Sequence, residues 1–193
     1  MKNSLRFLCC LLLPILLCGC WGYVSSEAQR RFEARQQKFT VTVYPVHVAR
    51  RGKGTKGDHS LGREVASWLN SQHMAEATFG QPGVPIAVKW HANQAKMAEE
   101  SAKAFGAWVK QADLATDYAL LVEILCNGDE TNVLGVHFYL AEKSGLLADG
   151  GLTNSHWDEF RRVNPVDRHG GLSVFKEMIQ KRWLGPEHSR PAT

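Results

Sequence analysis

Five stretches of the chain combine apolar, β-branched and aromatic residues in the patterns that strands favour. Alternating or short continuous apolar runs, bounded by polar or glycine-containing segments, are typical of half-buried and buried strands. The predicted strands are residues 39–46, 84–90, 118–126, 133–140 and 146–150. Pro85 has no backbone N–H to donate, so the second strand is expected at a sheet edge or at a strand start. The polar residues 127–132 predict a hairpin turn between the third strand and the fourth.

Three further stretches repeat their apolar residues at helical spacing. The first two helices are predicted to begin after Ser60 and Asn93, both good N-cap residues, and the third covers residues 172–183, just before Gly185-Pro186. The resulting order, β-α-β-α-β-β-β-α, predicts the α+β class. We expect a single domain in which about three helices pack on one face of a mixed sheet of about five strands.

The opening strand contains Thr42-Val-Tyr-Pro-Val46 and is followed by an amphipathic helix. This feature and the element order resemble the small periplasmic domains of the TolB amino-terminal and CsgG-like kind. The resemblance covers residues 39–184. It implies a periplasmic α+β domain that assembles with other envelope proteins.

A different pattern occupies the beginning of the chain. Lys2 and Arg6 flank the start of an apolar run, residues 7–17, which is too short to span a bilayer as a mature helix. The run ends in Leu17-Cys-Gly-Cys20, which resembles the lipobox of bacterial lipoproteins. By that resemblance the chain is cleaved before Cys20, and Cys20 receives diacylglycerol on sulfur and an amide-linked acyl chain such as palmitate. An ordinary secretory signal cleaved elsewhere and an uncleaved buried helix are the alternatives.

Trp21 follows the cysteine, where Asp would resemble an inner-membrane retention signal. In a Gram-negative host this favours the periplasmic face of the outer membrane. The segment after it is polar, with Ser25 or Ser26 as a possible cap, and predicts a flexible or marginally helical tether that buries little. The predicted parts of the chain are the signal peptide, 1–19; the lipidated cysteine and tether, 20–38; the globular domain, 39–184; and a disordered tail, 185–193.

Composition limits what the mature chain can be. Removing residues 1–19 leaves 174 of the 193 residues, enough for one domain with its own core. Because Lys2 and Arg6 leave as well, the formal charge falls from +4 to +2, which is too small to predict nucleic-acid binding. Cys126 is the one cysteine left besides Cys20, so no internal disulfide is expected, and Cys126 itself is predicted to be a buried small side chain.

A basic glycine-rich segment, Gly52-Lys-Gly-Thr-Lys-Gly57, lies between a predicted strand and a predicted helix. Glycine N–H groups and a helix N-terminus can bind an anion there, so Lys53, Lys56 and Gly57 form a candidate anion site. The segment departs from a phosphate-binding P-loop, because Asp58-His59 stands where that motif has Lys and Ser or Thr. A solvated loop is the alternative.

The segment Asn154-Ser-His-Trp-Asp158 concentrates polar groups. Asn154, Ser155, His156 and Asp158 form a second candidate site, which Asp167 and His169 could complete for metal binding or acid–base chemistry. A structural loop held to the domain by its aromatic residues is the alternative. Ser155 lacks the Gly-x-Ser-x-Gly setting of a hydrolase nucleophile.

Glu123 and His137 interrupt the two most apolar strands. With Cys126 opposite Val133, the two side chains point to opposite faces of the sheet, and a bulge of one residue would reverse this. Meeting in the interior, they could form an ion pair. We otherwise expect each to be solvated or locally satisfied.

The leading hypothesis is a non-enzymatic lipoprotein of the cell envelope, anchored in the membrane through Cys20 and acting by contact with another envelope protein. No catalytic residue, cofactor or metal is predicted. The alternative is a periplasmic ligand-binding or hydrolytic domain that uses the 154–158 segment or the 52–57 loop.

Overall fold

The structure is a computed structural model that describes residues 24–35, 38–81 and 83–184. The predicted signal peptide, Cys20 and the predicted tail lie outside these residues. The helices are α1 (Ser26–Glu33), α2 (His59–Ser71), α3 (Gln94–Val109), α4 (Asp158–Val163) and α5 (Arg168–Leu184). The strands are β1 (Phe39–Val43), β2 (Val46–Arg50), β3 (Gly54–Asp58), β4 (Ala75–Phe79), β5 (Tyr118–Cys126), β6 (Val133–Glu142) and β7 (Leu147–Thr153).

All seven strands form one mixed sheet, which confirms the α+β class and raises the strand count from about five. β5 lies at its centre. On one side β5 pairs antiparallel with β6, and β6 with β7. On the other side β5 runs parallel to β1 over its first half and to β2 over its second half. β4 then pairs parallel with β1, and β3 antiparallel with β2.

The predicted first strand is therefore two strands, separated at Tyr44-Pro45. Val43 pairs with Leu120, but His47 pairs with Glu123, so four residue steps on this side match three on β5. One residue is extra, and the strand pair bulges there. Proline is tolerated at such a point because it has no N–H to contribute to the ladder.

Helices cover both faces of the sheet, so the prediction that they share one face is wrong. Alternate residues of β5 divide between the two faces, as the strand period requires. The even-numbered residues from Leu120 to Cys126 belong to a core with α1, α2 and α5. Ala119 and Leu121 belong to a second core with α3, and Leu125 packs with Met97 of the same helix.

The predicted strand at residues 84–90 is wrong as a member of the sheet. These residues have no strand assignment, although Val84 and Val88 are buried. The period of two is real, but it arises from a segment that packs against the other elements without joining the ladder. The fourth strand of the fold is instead β4, whose sequence Ala-Glu-Ala-Thr-Phe has too little apolar character to be found from the pattern.

Helix starts were predicted with mixed success. Asn93 caps α3 as predicted, accepting from the N–H groups of Ala95 and Lys96. α2 begins earlier than predicted, because Asp58 and not Ser60 is its N-cap. Residues 151–170, which lie between the last predicted strand and the last predicted helix, contain the end of β7, all of α4 and the start of α5.

Part of the predicted tether is built into the domain. Ser25 caps α1, and both Ala28 and Phe32 of this helix are buried, so the expectation that the segment buries little is wrong. Phe32 packs edge-on against Phe39, Tyr118 and Trp183. None of the helices in the described ranges has the length and apolar character needed to cross a membrane.

Candidate functional site

The glycine-rich segment forms a β-hairpin. Gly52 and Gly54 have φ values of 76° and 84°, which a residue with a side chain rarely adopts, and they turn β2 into β3. Lys53 lies on this turn, 3.5 Å from the carboxylate of Asp129. Lys56 and Gly57 lie farther along, in β3 itself. The two lysines of the candidate anion site therefore belong to different parts of the hairpin.

Lys56 and Gly57 line an open cleft of about 350 Å³ near the starts of α2 and α5. The charged residues of this cleft are largely paired with each other. Arg50 lies 3.4 Å from Glu130, and Arg168 lies 3.5 Å from Asp58 and 3.6 Å from Glu130. An incoming anion would have to compete with these carboxylates for the same cations.

Asp58 also occupies the N-terminus of α2. Its carboxylate accepts hydrogen bonds from the backbone N–H groups of Ser60 and Leu61. Partial burial pushes the pKa of Asp58 up, but these hydrogen bonds, that of the Ser60 hydroxyl and the charge of Arg168 together hold the pKa below its ordinary value. The donors that would have served an anion are used by the protein's own carboxylate.

The second candidate site is divided by the fold. Asn154, Ser155 and His156 line an open cavity of about 390 Å³ beside the start of α3. The Asn154 amide donates to the side chain of Gln94, and its oxygen accepts from the backbone N–H of His156. Asp158 is exposed and pairs with Arg161 of α4.

The residues that could complete a metal site do not join this cavity. Asp167 accepts from the backbone N–H of Gly170, and both Asp167 and His169 are exposed near the start of α5. Within the described ranges, no group of three His, Cys, Asp or Glu side chains is placed to hold a metal ion. The polar groups here have the contacts of turn and cap residues.

A buried polar cluster lies on the α3 face of the sheet, and it contains Glu123 and His137. Its members are His47 of β2, Glu123 of β5, and His137 and Tyr139 of β6, all less than 4 % exposed. The Tyr139 hydroxyl donates to Glu123 Oε2 at 2.8 Å. His137 Nδ1 lies 3.5 Å from the same oxygen, and His47 Nδ1 lies 3.8 Å from Oε1.

Two bulges assemble this cluster. Leu134 is an extra residue in β6, so Glu123 lies opposite His137, where an unbroken register from Cys126 and Val133 would place Val136. The break at Tyr44-Pro45 acts in the same way on the other side, because without its extra residue Val46 would replace His47 as the partner of Glu123. Each bulge thus places a histidine, instead of a valine, beside the carboxylate of Glu123.

The hydrogen bonds assign the ring protons of the two histidines. His47 Nε2 lies 3.1 Å from the carbonyl of Val84, which can only accept, so this nitrogen carries a proton. The Tyr139 hydroxyl gives its proton to Glu123, so at 3.2 Å it accepts from His137 Nδ1. Three atoms of the cluster lack a hydrogen-bond partner among the described residues: His47 Nδ1, Glu123 Oε1 and His137 Nε2.

The electrostatics of the cluster favour a charged Glu123. Burial raises the pKa of this carboxyl, but the adjacent His137 and His47 outweigh that effect and hold the pKa at about 2. A buried carboxylate requires a compensating positive charge. Of the two imidazoles, His47 directs Nε2 at the carbonyl of Val84 and Nδ1 at Glu123 Oε1, whereas Nε2 of His137 faces no acceptor.

The sequence reading found Glu123 and His137 but missed His47 and Tyr139. Glu123 and His137 were expected to meet only if the strand pair contained a bulge of one residue, and the structure has this bulge. His47 follows the Tyr-Pro dipeptide that breaks the strand, and this dipeptide is the signal that could have exposed it. Tyr139 looks like an ordinary core aromatic in an apolar strand, and nothing in the sequence marks its hydroxyl as a donor to Glu123.

Cys126 is fully buried, as predicted, and carries a free thiol. Burial raises its pKa to about 11, with smaller contributions from Glu130 and Asp167. The neutral thiol is a weak nucleophile. Cys126 therefore acts as a small core side chain beneath α5, and reactive chemistry is not expected of it.

Comparison with known proteins gives no relative from which a role could be transferred: no family model matches the chain, and no curated protein matches it.

Proposed function

We propose that this chain is the precursor of a bacterial lipoprotein, lipidated at Cys20 and held at the periplasmic face of the outer membrane, where its domain acts by contact with another envelope protein. The observation that carries the proposal is the ordered N-terminal pattern of Lys2, Arg6, an apolar run and Leu17-Cys-Gly-Cys20. Two or three acyl chains on one cysteine hold a protein stably in a membrane, since each buried methylene contributes about 0.8 kcal/mol.

Two features of the domain favour an accessory, non-enzymatic role. The carboxylate and imidazoles of the buried polar cluster are enclosed in the interior, where a substrate would have to displace α3 or the 84–90 segment to reach them. The charged side chains of the cleft beside α2 and α5 largely neutralise one another. Both arrangements are typical of structural polar groups.

Lipidation is tested by mass spectrometry of the N-terminal peptide from membrane-extracted protein. The wild-type chain is expected to begin at Cys20 and to carry the mass of its acyl chains. Cys20→Ala should lose both the acyl chains and the cleavage. Cys18→Ala is the matched control, because Ala is a common residue at that position of the lipobox, and it should be processed normally. Acylation that persists in Cys20→Ala, or its absence from the wild type, would contradict the proposal.

Sorting is tested by separating inner from outer membranes. The wild-type protein is expected in the outer membrane, and Trp21→Asp should move it to the inner membrane. Trp21→Ser serves as the control, since it changes the same residue without adding the retention signal. Equal distribution of all three proteins would argue against outer-membrane sorting.

The contact role is tested by cross-linking a tagged full-length chain in its own membranes and identifying what co-purifies. A specific partner that is captured by the wild type and lost with Cys20→Ala would support an anchored interaction factor. Capture of background proteins alone, at expression levels matched to the control, would contradict it. Turnover of a substrate by the purified protein, abolished by His156→Ala, would favour the enzymatic alternative.

A further inference from the structure

The anchor and the domain are joined by very little chain. Four residue steps separate Cys20 from Val24, so their Cα atoms lie at most about 14 Å apart. Val24 already belongs to the domain, because it forms a parallel bridge with Leu147, and Ser25 donates to the carbonyl of Leu147 at 2.9 Å. A lipid on Cys20 would hold the start of β7 close to the bilayer surface.

Leu147 lies at one end of the sheet. β6 and β7 meet there in the turn of residues 143–146, and the same end contains the starts of β1 and β5. The nine residues of β5 span about 30 Å. The opposite end, which includes the β5–β6 turn with Asp129, is therefore about 30 Å farther from the anchored end.

The anchored end has the chemistry of a surface that meets lipid headgroups. Its turn exposes Leu146, one of the few large apolar side chains that are 40 % exposed or more among the described residues. Lys143 is exposed on the same turn. Lys110 lies beside it, because α3 approaches so closely that a Cβ on Gly145 would be 3.0 Å from Lys110 Cβ.

A cavity of about 610 Å³ opens at this end, and Arg35, Lys38 and Lys143 line it. Its two carboxylates are already engaged. Asp117 accepts from the backbone N–H and the hydroxyl of Thr40, and Glu142 accepts from both Nε and Nη2 of Arg31. Lys38, Lys110 and Lys143, by contrast, have no carboxylate of a described residue within 4 Å, although the charge of Lys143 helps to lower the pKa of Asp117.

We propose that this end of the domain docks on an anionic phospholipid surface, with Leu146 at the headgroup boundary and Lys38, Lys110 and Lys143 facing lipid phosphates. The inference rests on the proposed lipidation of Cys20, which brings the surface to the bilayer. Lysines near an anionic surface are attracted to it, so the three fix an orientation that the acyl chains alone leave free. The cleft lined by Lys56 and Arg168 then faces away from the membrane, where a partner can reach it.

The test measures the depth of two labelled positions in the lipidated full chain. With Cys126→Ser as background, Leu146→Cys and Asp129→Cys each provide a single reactive thiol, because the sulfur of Cys20 is blocked by its thioether. Each protein is reconstituted in vesicles of phosphatidylcholine with phosphatidylglycerol that carry a quencher on their headgroups. The fluorophore at residue 146 should be quenched several-fold more strongly than the one at residue 129.

Charge dependence separates docking from simple tethering. Quenching at residue 146 should fall in pure phosphatidylcholine, and it should fall equally in the triple variant Lys38→Gln, Lys110→Gln, Lys143→Gln in anionic vesicles. Equal quenching at residues 146 and 129, or no response to either change, would overturn the docking proposal. The mass of the N-terminal peptide is read from the same samples, so a missing lipid, which refutes the proposed function, is distinguished from a lipidated protein that does not dock.

Discussion

Two groups of charged side chains lie on opposite faces of the sheet and have nearly the same internal distances. On the α3 face, Glu123 lies 3.5 and 3.8 Å from its two histidines. On the α2 and α5 face, Arg168 lies 3.5 and 3.6 Å from its two carboxylates. The first group is sealed from water, whereas the side chain of Arg168 is 44 % exposed. The internal distances therefore do not distinguish the two groups, but their exposure to water does.

The difference determines what each group contributes to the fold. Water screens the exposed pairs, so each is worth at most about 1 kcal/mol. The buried group carries a large desolvation cost, which its mutual attraction must offset, and removing one member leaves the others charged or unpaired in the interior. Although the distances within the two groups are similar, we therefore expect substitutions in the exposed group to be tolerated and substitutions in the buried group to be destabilising.

The largest expected effect is that of Glu123→Leu. The change fills about the same volume, but it leaves the Tyr139 hydroxyl without its acceptor and removes the carboxylate that His47 Nδ1 and His137 Nδ1 face. We expect the free energy of unfolding to fall by about 3–5 kcal/mol. Urea denaturation followed by far-UV circular dichroism measures it, with Leu121→Met, on the same strand and face, as a control for repacking.

A multiple variant sharpens this prediction. Glu123→Leu combined with His47→Leu, His137→Leu and Tyr139→Phe removes every polar group of the cluster, and the loss of stability should be smaller than for Glu123→Leu alone. A loss that instead grows with each added substitution would mean that the cluster stabilises the fold through packing. Charge would then no longer explain why substitutions in the buried group cost more stability than substitutions in the exposed group.

Acid should weaken the buried group. The pKa of Glu123 is about 2 in the folded protein, against 4.5 for an ordinary Glu, so the unfolded chain binds more protons between these values. The contribution of this group is complete above about pH 4.5 and is lost as the pH falls toward 2. The loss is smaller than for Glu123→Leu, because the protonated carboxyl still fills its site.

The measurement compares unfolding of the wild type and of Glu123→Gln at pH values down to about 3. Other carboxyls with lowered pKa values, Asp58, Glu100, Asp117, Asp158 and Glu159, also contribute to acid unfolding. They are present in both proteins, so the difference between the two curves isolates Glu123. Parallel curves would show that the pKa of Glu123 is the same in the folded and unfolded states, so that the buried cluster does not lower it.

Asp58 both caps α2 and forms an ion pair, so substitutions at this position can distinguish the contributions of the two interactions to stability. Asp58→Ala should cost about 0.5–2 kcal/mol, because the backbone N–H groups of Ser60 and Leu61 lose their acceptor. Asp58→Asn keeps a capping oxygen and loses the charge that faces Arg168, so it should cost less. Thermal unfolding of both variants checks this order. Equal losses would mean that the ion pair, and not the cap, is what matters at this partly buried position.

The sequence predicted the parts of the fold that repeat over many residues. β5, β6 and α3 are long and strongly patterned. The predicted bounds of β5 and β6 and the predicted start of α3 agree with the structure within about two residues. β4 is short and half exposed, and two of the three apolar residues in its alternating sequence are alanines, so it was missed. The 84–90 segment has the alternation of a strand because one side of it packs on the domain, and packing rather than ladder hydrogen bonds sets that period.

The buried cluster could be predicted only in part, because its geometry depends on two single residues. Glu123 and His137 stand out as polar positions in apolar strands, but their meeting depends on the bulge at Leu134. His47 depends in the same way on the break at Tyr44-Pro45. A shift of one residue moves a side chain to the other face, and no periodicity in the sequence encodes where such a shift occurs.

The smallest expected effect is that of Arg168→Ala, which tests the exposed side of the comparison. The change removes both ion pairs of Arg168 but leaves Asp58 as the cap of α2. Arg168 is the first residue of α5, where a positive charge opposes the helix dipole, and this offsets part of what the ion pairs contribute. We expect a loss of at most about 1 kcal/mol, which should vanish in about 1 M NaCl because salt screens exposed charges. Urea denaturation at low and high salt measures both effects. A loss as large as that of Glu123→Leu, or one that salt leaves unchanged, would mean that the cleft is shielded from water, and burial would no longer explain why the two groups differ.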